Sequence, residues 1–255
     1  MTGDPQFGRE ADLCQAFIEF AGRHGWTAYP EQGGWDILLV RADVQVGVQA
    51  KLVADLHVLE QVLPEQANYR VTEVGPTYRA ILVGRFAGRT LKAVNRTTNA
   101  FYKVCEHLGV IVLQPPVVTS GTWLRAGYHS NRCVVRKGKR RVHTSIYRWK
   151  PGESVWVPPF VPDLPAGVPC PQTVSAWNVA AVRLEMMVSE QGAVYLDDAR
   201  AVTAEVSGRW NPATLLNRFF KCDRRGRRRG RQLPWVVRVS PSKAYPKVAD
   251  GLKPQ

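Results

Sequence analysis

The sequence predicts an α/β protein: a mixed β-sheet flanked by helices, then a basic linker, then a helix-rich domain ending in a basic hairpin. Three observations carry that expectation. Residues 1–118 alternate segments of helical period with short apolar runs bounded by turn residues. Residues 119–172 lose both periods and gather prolines in VWVPPFVPDLPAGVPCP (155–171). Residues 173–255 return to a helical period and then enter a run of arginines and glycines. The 255 residues, 45% of them hydrophobic, suffice for one large or two modest domains. The expected boundaries are 1–118, 119–172 and 173–255.

Between Gly8 and Gly25, Leu13, Phe17 and Phe20 recur at helical spacing beside Cys14 and Ala21, which predicts an amphipathic helix ending near His24 and Gly25. A short strand is expected at 27–29, and EQGG then turns the chain. DILLV (36–40) and VQVGVQAKLV (44–53) read as neighbouring strands joined by RAD. DLHVLEQVLPEQ reads as a helix broken near Pro64. YRAILVGRF (78–86) is a buried strand, AVNRTTNAFYKVCEHLG (93–109) a helix closed by Gly109, and VIVLQPP (110–116) a strand stopped by two prolines. The order α-β-β-β-α-β-α-β implies a mixed sheet covered by helices.

Further on, RKGKRR (136–141) is a basic turn between the strand-like RCVV and VHTSIYRW. Trp177, Ala180, Ala181 and Leu184 mark a helix over about 174–190, stopped by Gly192. A short extended piece leads to a second helix over about 197–206. NPATLLNRFFK (211–221) is a third, with Asn211 as N-cap and Pro212 in the first turn. CDRRGRRRGRQ then joins it to the strand WVVRV (235–239). Three helices followed by a basic hairpin is the layout of a winged helix-turn-helix.

The net charge of +14 is confined to the second half. Residues 1–118 hold 11 Lys and Arg against 12 Asp and Glu, a balance of −1, whereas residues 119–255 hold 24 against 9, a balance of +15. Such asymmetry points to a polyanionic partner for the second half. No apolar run is long enough for a membrane span, and MTGDPQFGREAD lacks the layout of a secretory signal. The five cysteines are scattered and form no CxxC pair, which argues against a disulfide framework or a structural zinc site. A cytoplasmic setting is the expectation. No serine-hydrolase motif, phosphate loop or metal-spaced histidine set is present.

One feature of the strand at 44–53 is chemically unusual: an apolar run carries Gln49 and Lys51, two residues apart and so on one face. If the preceding strand pairs with it, Asp36 lies near both. Glu10, three residues before Leu13 and seven before Phe17, shares the core-facing stripe of the first helix. The set Glu10, Asp36, Gln49 and Lys51 suits phosphodiester cleavage. Mg²⁺ (or Mn²⁺) prefers oxygen ligands; Asp36, the Gln49 oxygen and the Ala50 carbonyl would supply them, with Glu10 for a second ion or a metal-bound water. Lys51 would orient or help deprotonate the attacking water and offset charge growing on the phosphate.

These residues resemble a known family. Asp36, then Gln-x-Lys on the next strand, behind a helix carrying Glu10, is similar to the PD-(D/E)xK, restriction-endonuclease-like nuclease superfamily. VGVQAKL is similar to the Gln-x-Lys form of Mrr-like endonucleases, and the order of the four residues resembles that of archaeal-type Holliday junction resolvases. Trp35 stands where the family motif has proline, and Gln49 replaces an acid. The resemblance spans about residues 8–115 and implies a restriction-endonuclease-like sheet and metal-dependent cleavage of DNA. Followed by a winged helix, the arrangement also resembles the nuclease subunit of some cut-and-paste transposons, so transposition stands beside restriction and junction resolution. Replacing Gln49 with Glu is then expected to preserve or raise activity at low Mg²⁺. A non-catalytic DNA-binding regulator or assembly factor on an inactive nuclease fold stays open, as does a homodimer or a partner protein.

Seven of the eleven residues from Lys221 to Arg231 are basic: Lys221, Arg224, Arg225, Arg227, Arg228, Arg229 and Arg231. Punctuated by glycines, they suit a wing that tracks phosphates. The helix before them offers Asn217 and Arg218 to a groove. Lys137, Lys139, Arg140 and Arg141 would add a second phosphate contact. DNA is the expected partner; basic runs alone do not separate it from RNA.

Overall fold

The computed structural model describes residues 7–63, 74–86, 91–114, 151–168, 174–206, 211–230 and 232–253. Packing divides the chain into two units, Met1–Val155 with Leu164–Cys170, and Trp156–Asp163 with Pro171–Gln255. No helix among the described residues is long and apolar enough to cross a membrane.

The first unit is a mixed α/β fold in the expected order: α1 (Glu10–Arg23), β1 (Thr27–Gln32), β2 (Trp35–Arg41), β3 (Val44–Ala54), α2 (His57–Val62), β4 (Tyr78–Phe86), α3 (Leu91–Leu108) and β5 (Ile111–Leu113). Among the described residues the strands form one sheet in the order β1-β2-β3-β4-β5. The β1–β2 and β2–β3 pairs are antiparallel, and β3–β4 and β4–β5 are parallel. Central strands covered on both faces read as unbroken apolar runs. Hence Ile37, Leu38 and Leu39, three in succession, are wholly buried, as are Ala80 to Val83.

Helix α1 begins without a side-chain cap, and Glu10 and Asp12 in its first turn face the positive end of the helix dipole instead. Its stripe Leu13, Cys14, Phe17 and Ala21 packs with Ile37, Leu39, Val46, Val48 and Ala50 in a single core cluster. The Trp35 ring lies over Gly47 so closely that a Cβ there would overlap it. Gly47→Ala is therefore expected to cost about 1–3 kcal/mol of stability, read from the midpoint of denaturant unfolding. An unchanged midpoint would mean that the indole moves aside at no cost.

Among its described residues the proline-rich stretch carries neither helix nor strand, yet it does more than link. The Gln45 side chain donates to the Val155 carbonyl at 2.7 Å and accepts from the Val155 N–H at 2.8 Å, copying the two-bond exchange of a β pair with an amide. Gly75 N–H donates to Glu153 O at 2.9 Å. Ala166 joins the α1 core cluster, and Gly167 N–H donates to Glu31 Oε1 at 2.8 Å. Residues 153–155 and 164–168 thus complete the first unit. The expected basic turn at 136–141 lies outside the described residues.

The second unit contains α4 (Ala176–Gln191), α5 (Leu196–Val206), α6 (Pro212–Phe219), β6 (Phe220–Cys222), β7 (Trp235–Val237), α7 (Pro241–Ala244) and α8 (Pro246–Leu252). Ser175 caps α4 by accepting from Asn178 N–H, and Gly192 ends it at φ 83°. Asn211 caps α6 with Pro212 behind it. β6 and β7 pair antiparallel, and Val194, between α4 and α5, bridges to Trp235. The expected strand at 235–239 stops at Val237, because the N–H groups of Arg238 and Val239 both turn to Phe219 O. Helices α7 and α8 were not expected; each starts on a proline, and Ser240 caps α7. Glu185 of α4 accepts from Ser240 Oγ and Ser242 N–H, both at 2.6 Å, tying α7 down.

Candidate functional site

One row across β1, β2 and β3 departs from regular pairing. In the β1–β2 ladder, Pro30 pairs with Ile37 and Gln32 with Trp35, but Glu31 and Asp36, which that register sets opposite each other, do not pair. Glu31 has φ 51°, a conformation rare outside glycine. On the far side the β2–β3 ladder ends at Ile37–Val48, so the next row sets Asp36 across from Gln49. There a side chain replaces the backbone acceptor: Ala50 N–H donates to Asp36 Oδ2 at 2.7 Å.

Around this row the four expected residues converge. Gln49 is only 6% exposed, and its Nε2 donates to Gly34 O at 2.7 Å. Glu10, the first residue of α1, lies with Oε2 3.4 Å from Lys51 Nζ, both side chains partly exposed. A pair this long and this wet adds little to stability. Burial pushes the Asp36 carboxyl above its ordinary value, against the lowering effects of the Ala50 N–H and Lys51. The buried Cys14 thiol is raised well above its usual range, first by burial and then by the Asp36, Glu10 and Glu31 carboxylates around it.

The Gly34 bond settles how the Gln49 amide is turned: nitrogen toward Gly34, oxygen away from it. A glutamate would set carboxylate oxygen against carbonyl oxygen, with no hydrogen between them. Beside the activity expected of Gln49→Glu stands a cost in stability. Gln49→Glu should lose about 1–3 kcal/mol of stability near neutral pH, the cost of a buried acceptor without a donor. The new carboxyl's pKa in the folded state would be raised by burial and by Gly34 O. The native state then binds its proton more tightly than the unfolded chain, so the deficit should shrink as pH falls through that raised value. Unfolding midpoints of variant and wild type across pH check this; a pH-independent difference would exclude the clash.

Asp36 and Glu10 supply carboxylate oxygens, and Gln49 and Ala50 supply neutral ones. Among the described residues no three His, Cys, Asp or Glu side chains converge as a metal-ligating group. The donor set is nevertheless all hard oxygen, which suits Mg²⁺ or Mn²⁺ with several retained waters. A separate cavity of about 380 Å³ lies beside Gly33, Gly34, Trp35, Val62, Arg79 and Val155. It does not include Asp36 or Lys51. Burial presses Arg79, at its wall, down to about 10.

Glu31 was read from sequence only as part of a turn. Its carboxyl is raised by burial, with Asp36 adding to the rise and the Gly167 N–H opposing it. The local signal was absent, because its partner stands 136 residues away.

In the second unit Asn217, Arg218, Lys221, Arg224, Arg225, Arg227 and Arg228 are exposed. Lys137, Lys139, Arg140, Arg141 and Arg231 lie outside the described residues. Arg229 differs from its neighbours: its guanidinium is 2.7 Å from Asp198 Oδ1 and 4.3 Å from the Tyr195 ring centre. Tyr195 Oη donates to Arg227 O at 2.8 Å, and Gln232 Nε2 donates to Asp197. These bonds fasten the 223–234 hairpin to the start of α5. Arg238 donates to the Asn217 and Arg218 carbonyls at 2.7 and 2.8 Å, closing the negative end of α6.

No family model matches the chain, and neither a curated protein nor a solved structure matches it significantly.

Proposed function

We propose that this protein is a metal-dependent DNA endonuclease of the PD-(D/E)xK type, with the DNA held by a winged-helix-like second unit. The observation that carries the reading is the convergence of Asp36, Gln49, Lys51 and Glu10 at the row where the β2–β3 ladder ends. Glu10, Asp36, Gln49 Oε1 and the Ala50 carbonyl would hold a divalent cation. Such an ion supplies charge neutralisation at the scissile phosphate. Asp36 is fixed for this task by the Ala50 N–H, and Gln49 by Gly34 O. Lys51, held loosely by Glu10, can turn toward an attacking water and the phosphate.

The order α4, Val194 bridge, α5, α6, β6, hairpin, β7 supports a winged helix, with α6 presented to a groove and the arginine hairpin to phosphates. Transposon-end cleavage, restriction and junction resolution are the candidate reactions. The test is Mg²⁺-dependent cleavage of duplex, single-stranded, methylated and four-way-junction DNA. A second reading, a non-catalytic DNA-binding protein on the same fold, is favoured by the lack of a third ligating carboxylate among the described residues. Metal-dependent nicking of plasmid DNA separates the two.

A further inference from the structure

Glu31 holds an unusual position for a residue with no part in the expected site. It sits across from Asp36 in register, in a left-handed conformation, at the one skipped step of the β1–β2 ladder. Left-handed backbone at a non-glycine residue costs about 1–3 kcal/mol and persists where its surroundings impose it. Here the carboxylate accepts from Gly167 N–H at 2.8 Å. Gly167, at φ 71°, is pressed onto the first turn of α1: a Cβ on it would lie 2.8 Å from Cys14 Sγ and 3.3 Å from the Glu10 carbonyl carbon. The connection therefore runs from Glu31 to the 164–168 segment, and from that segment to the backbone of Glu10 and the thiol of Cys14.

We propose that Glu31 is a positioning residue: its carboxylate clamps residues 164–168 over the start of α1 and thereby sets where Glu10 stands relative to Lys51 and Asp36. The inference rests on the endonuclease reading for its catalytic consequence, but the clamp has a readout of its own. Cys14 is fully buried beneath Gly167, so its protection from alkylation reports whether the segment is seated. Two variants of the full chain separate the roles. Glu31→Gly deletes the carboxylate and accepts φ 51° without strain. Glu31→Gln keeps one oxygen to accept from Gly167 N–H but removes the charge.

The experiment measures N-ethylmaleimide labelling of Cys14 by peptide mass spectrometry, together with Mg²⁺-dependent DNA cleavage and the thermal midpoint. Glu31→Gly is expected to label at least about tenfold faster at Cys14 and to lose about tenfold in kcat with KM for DNA unchanged. Glu31→Gln should stay close to wild type in both. Unchanged Cys14 labelling in Glu31→Gly would overturn the clamp. Equal loss of kcat in the two variants with Cys14 still protected would overturn it too, assigning Glu31 a direct role through its charge. Global unfolding of Glu31→Gly would likewise count against it, reducing the residue to general stability. If wild type cleaves no DNA, the endonuclease reading fails, while Cys14 labelling and its rescue by Gln still decide the clamp.

Discussion

Asp36→Asn is expected to abolish DNA cleavage, by roughly a thousandfold or more, while leaving DNA affinity and fold nearly intact. The size follows from removing an anionic ligand at the proposed cation site, about 4 kcal/mol at the transition state. The selectivity follows from geometry. Asn retains an oxygen that can accept from Ala50 N–H, so the 2.7 Å bond at the end of the β2–β3 ladder survives. Affinity is expected to reside elsewhere, because residues 1–118 carry a balance of −1 against +15 in residues 119–255. Single-turnover cleavage and binding isotherms on the same DNA measure both. Full activity in Asp36→Asn would remove Asp36 from the site, and a parallel fall in binding would remove the division of labour.

The second large effect is expected from the hairpin. Arg224, Arg225, Arg227 and Arg228 are exposed and have no ion pair among the described residues. Each phosphate that is no longer neutralised lowers the slope of log affinity against log salt by about 0.9, so replacing all four by Gln should lower it by roughly three to four. Affinity at moderate salt should fall by orders of magnitude. Arg229→Gln is the internal control. Its guanidinium is already held by Asp198 and Tyr195, so the slope should change by less than the share of one phosphate. An equal slope change at Arg229 would mean that DNA displaces Asp198, and an unaltered slope in the fourfold variant would take the hairpin out of the interface.

The elements that repeat locally were legible in the sequence. The α1 stripe, the apolar runs of β2 to β5 and the Asn211–Pro212 helix start each announce themselves within a dozen residues, and their order emerged without correction. The proximity of Glu10, Asp36, Gln49 and Lys51 was legible too, because alternation along one strand and the period of one helix suffice to bring them near one another. What stayed hidden depends on distant partners. Nothing near Gln45 signals that its amide will bond Val155, 110 residues on. Nothing in EQGG signals that Glu31 will take a left-handed turn to reach Gly167. The short helices α7 and α8 lack a full apolar period, and only the prolines that open them and the Ser240 cap mark their starts. Arg229 looked like any arginine in a basic run and Arg238 like a lone charge in an apolar strand; Asp198 and the end of α6 give them structural tasks that composition cannot express.

The chain leaves the first unit after Val155, returns at Leu164 and leaves again after Cys170. That itinerary bears on how such a protein can be recombined. A module joined by one linker can be exchanged by a single crossover in its gene. Here a crossover near the codon for residue 118 would strip the first unit of Val155, Ala166 and Gly167, leaving the buried Gln45 amide without its two bonds and the first turn of α1 without its cover. A crossover near residue 172 would leave behind Asp163, whose carboxylate meets Lys247 at 3.2 Å, and Phe160, whose ring packs on Gly251. Neither unit is a portable cassette, so descent and engineering alike must carry residues 153–168 with both of them.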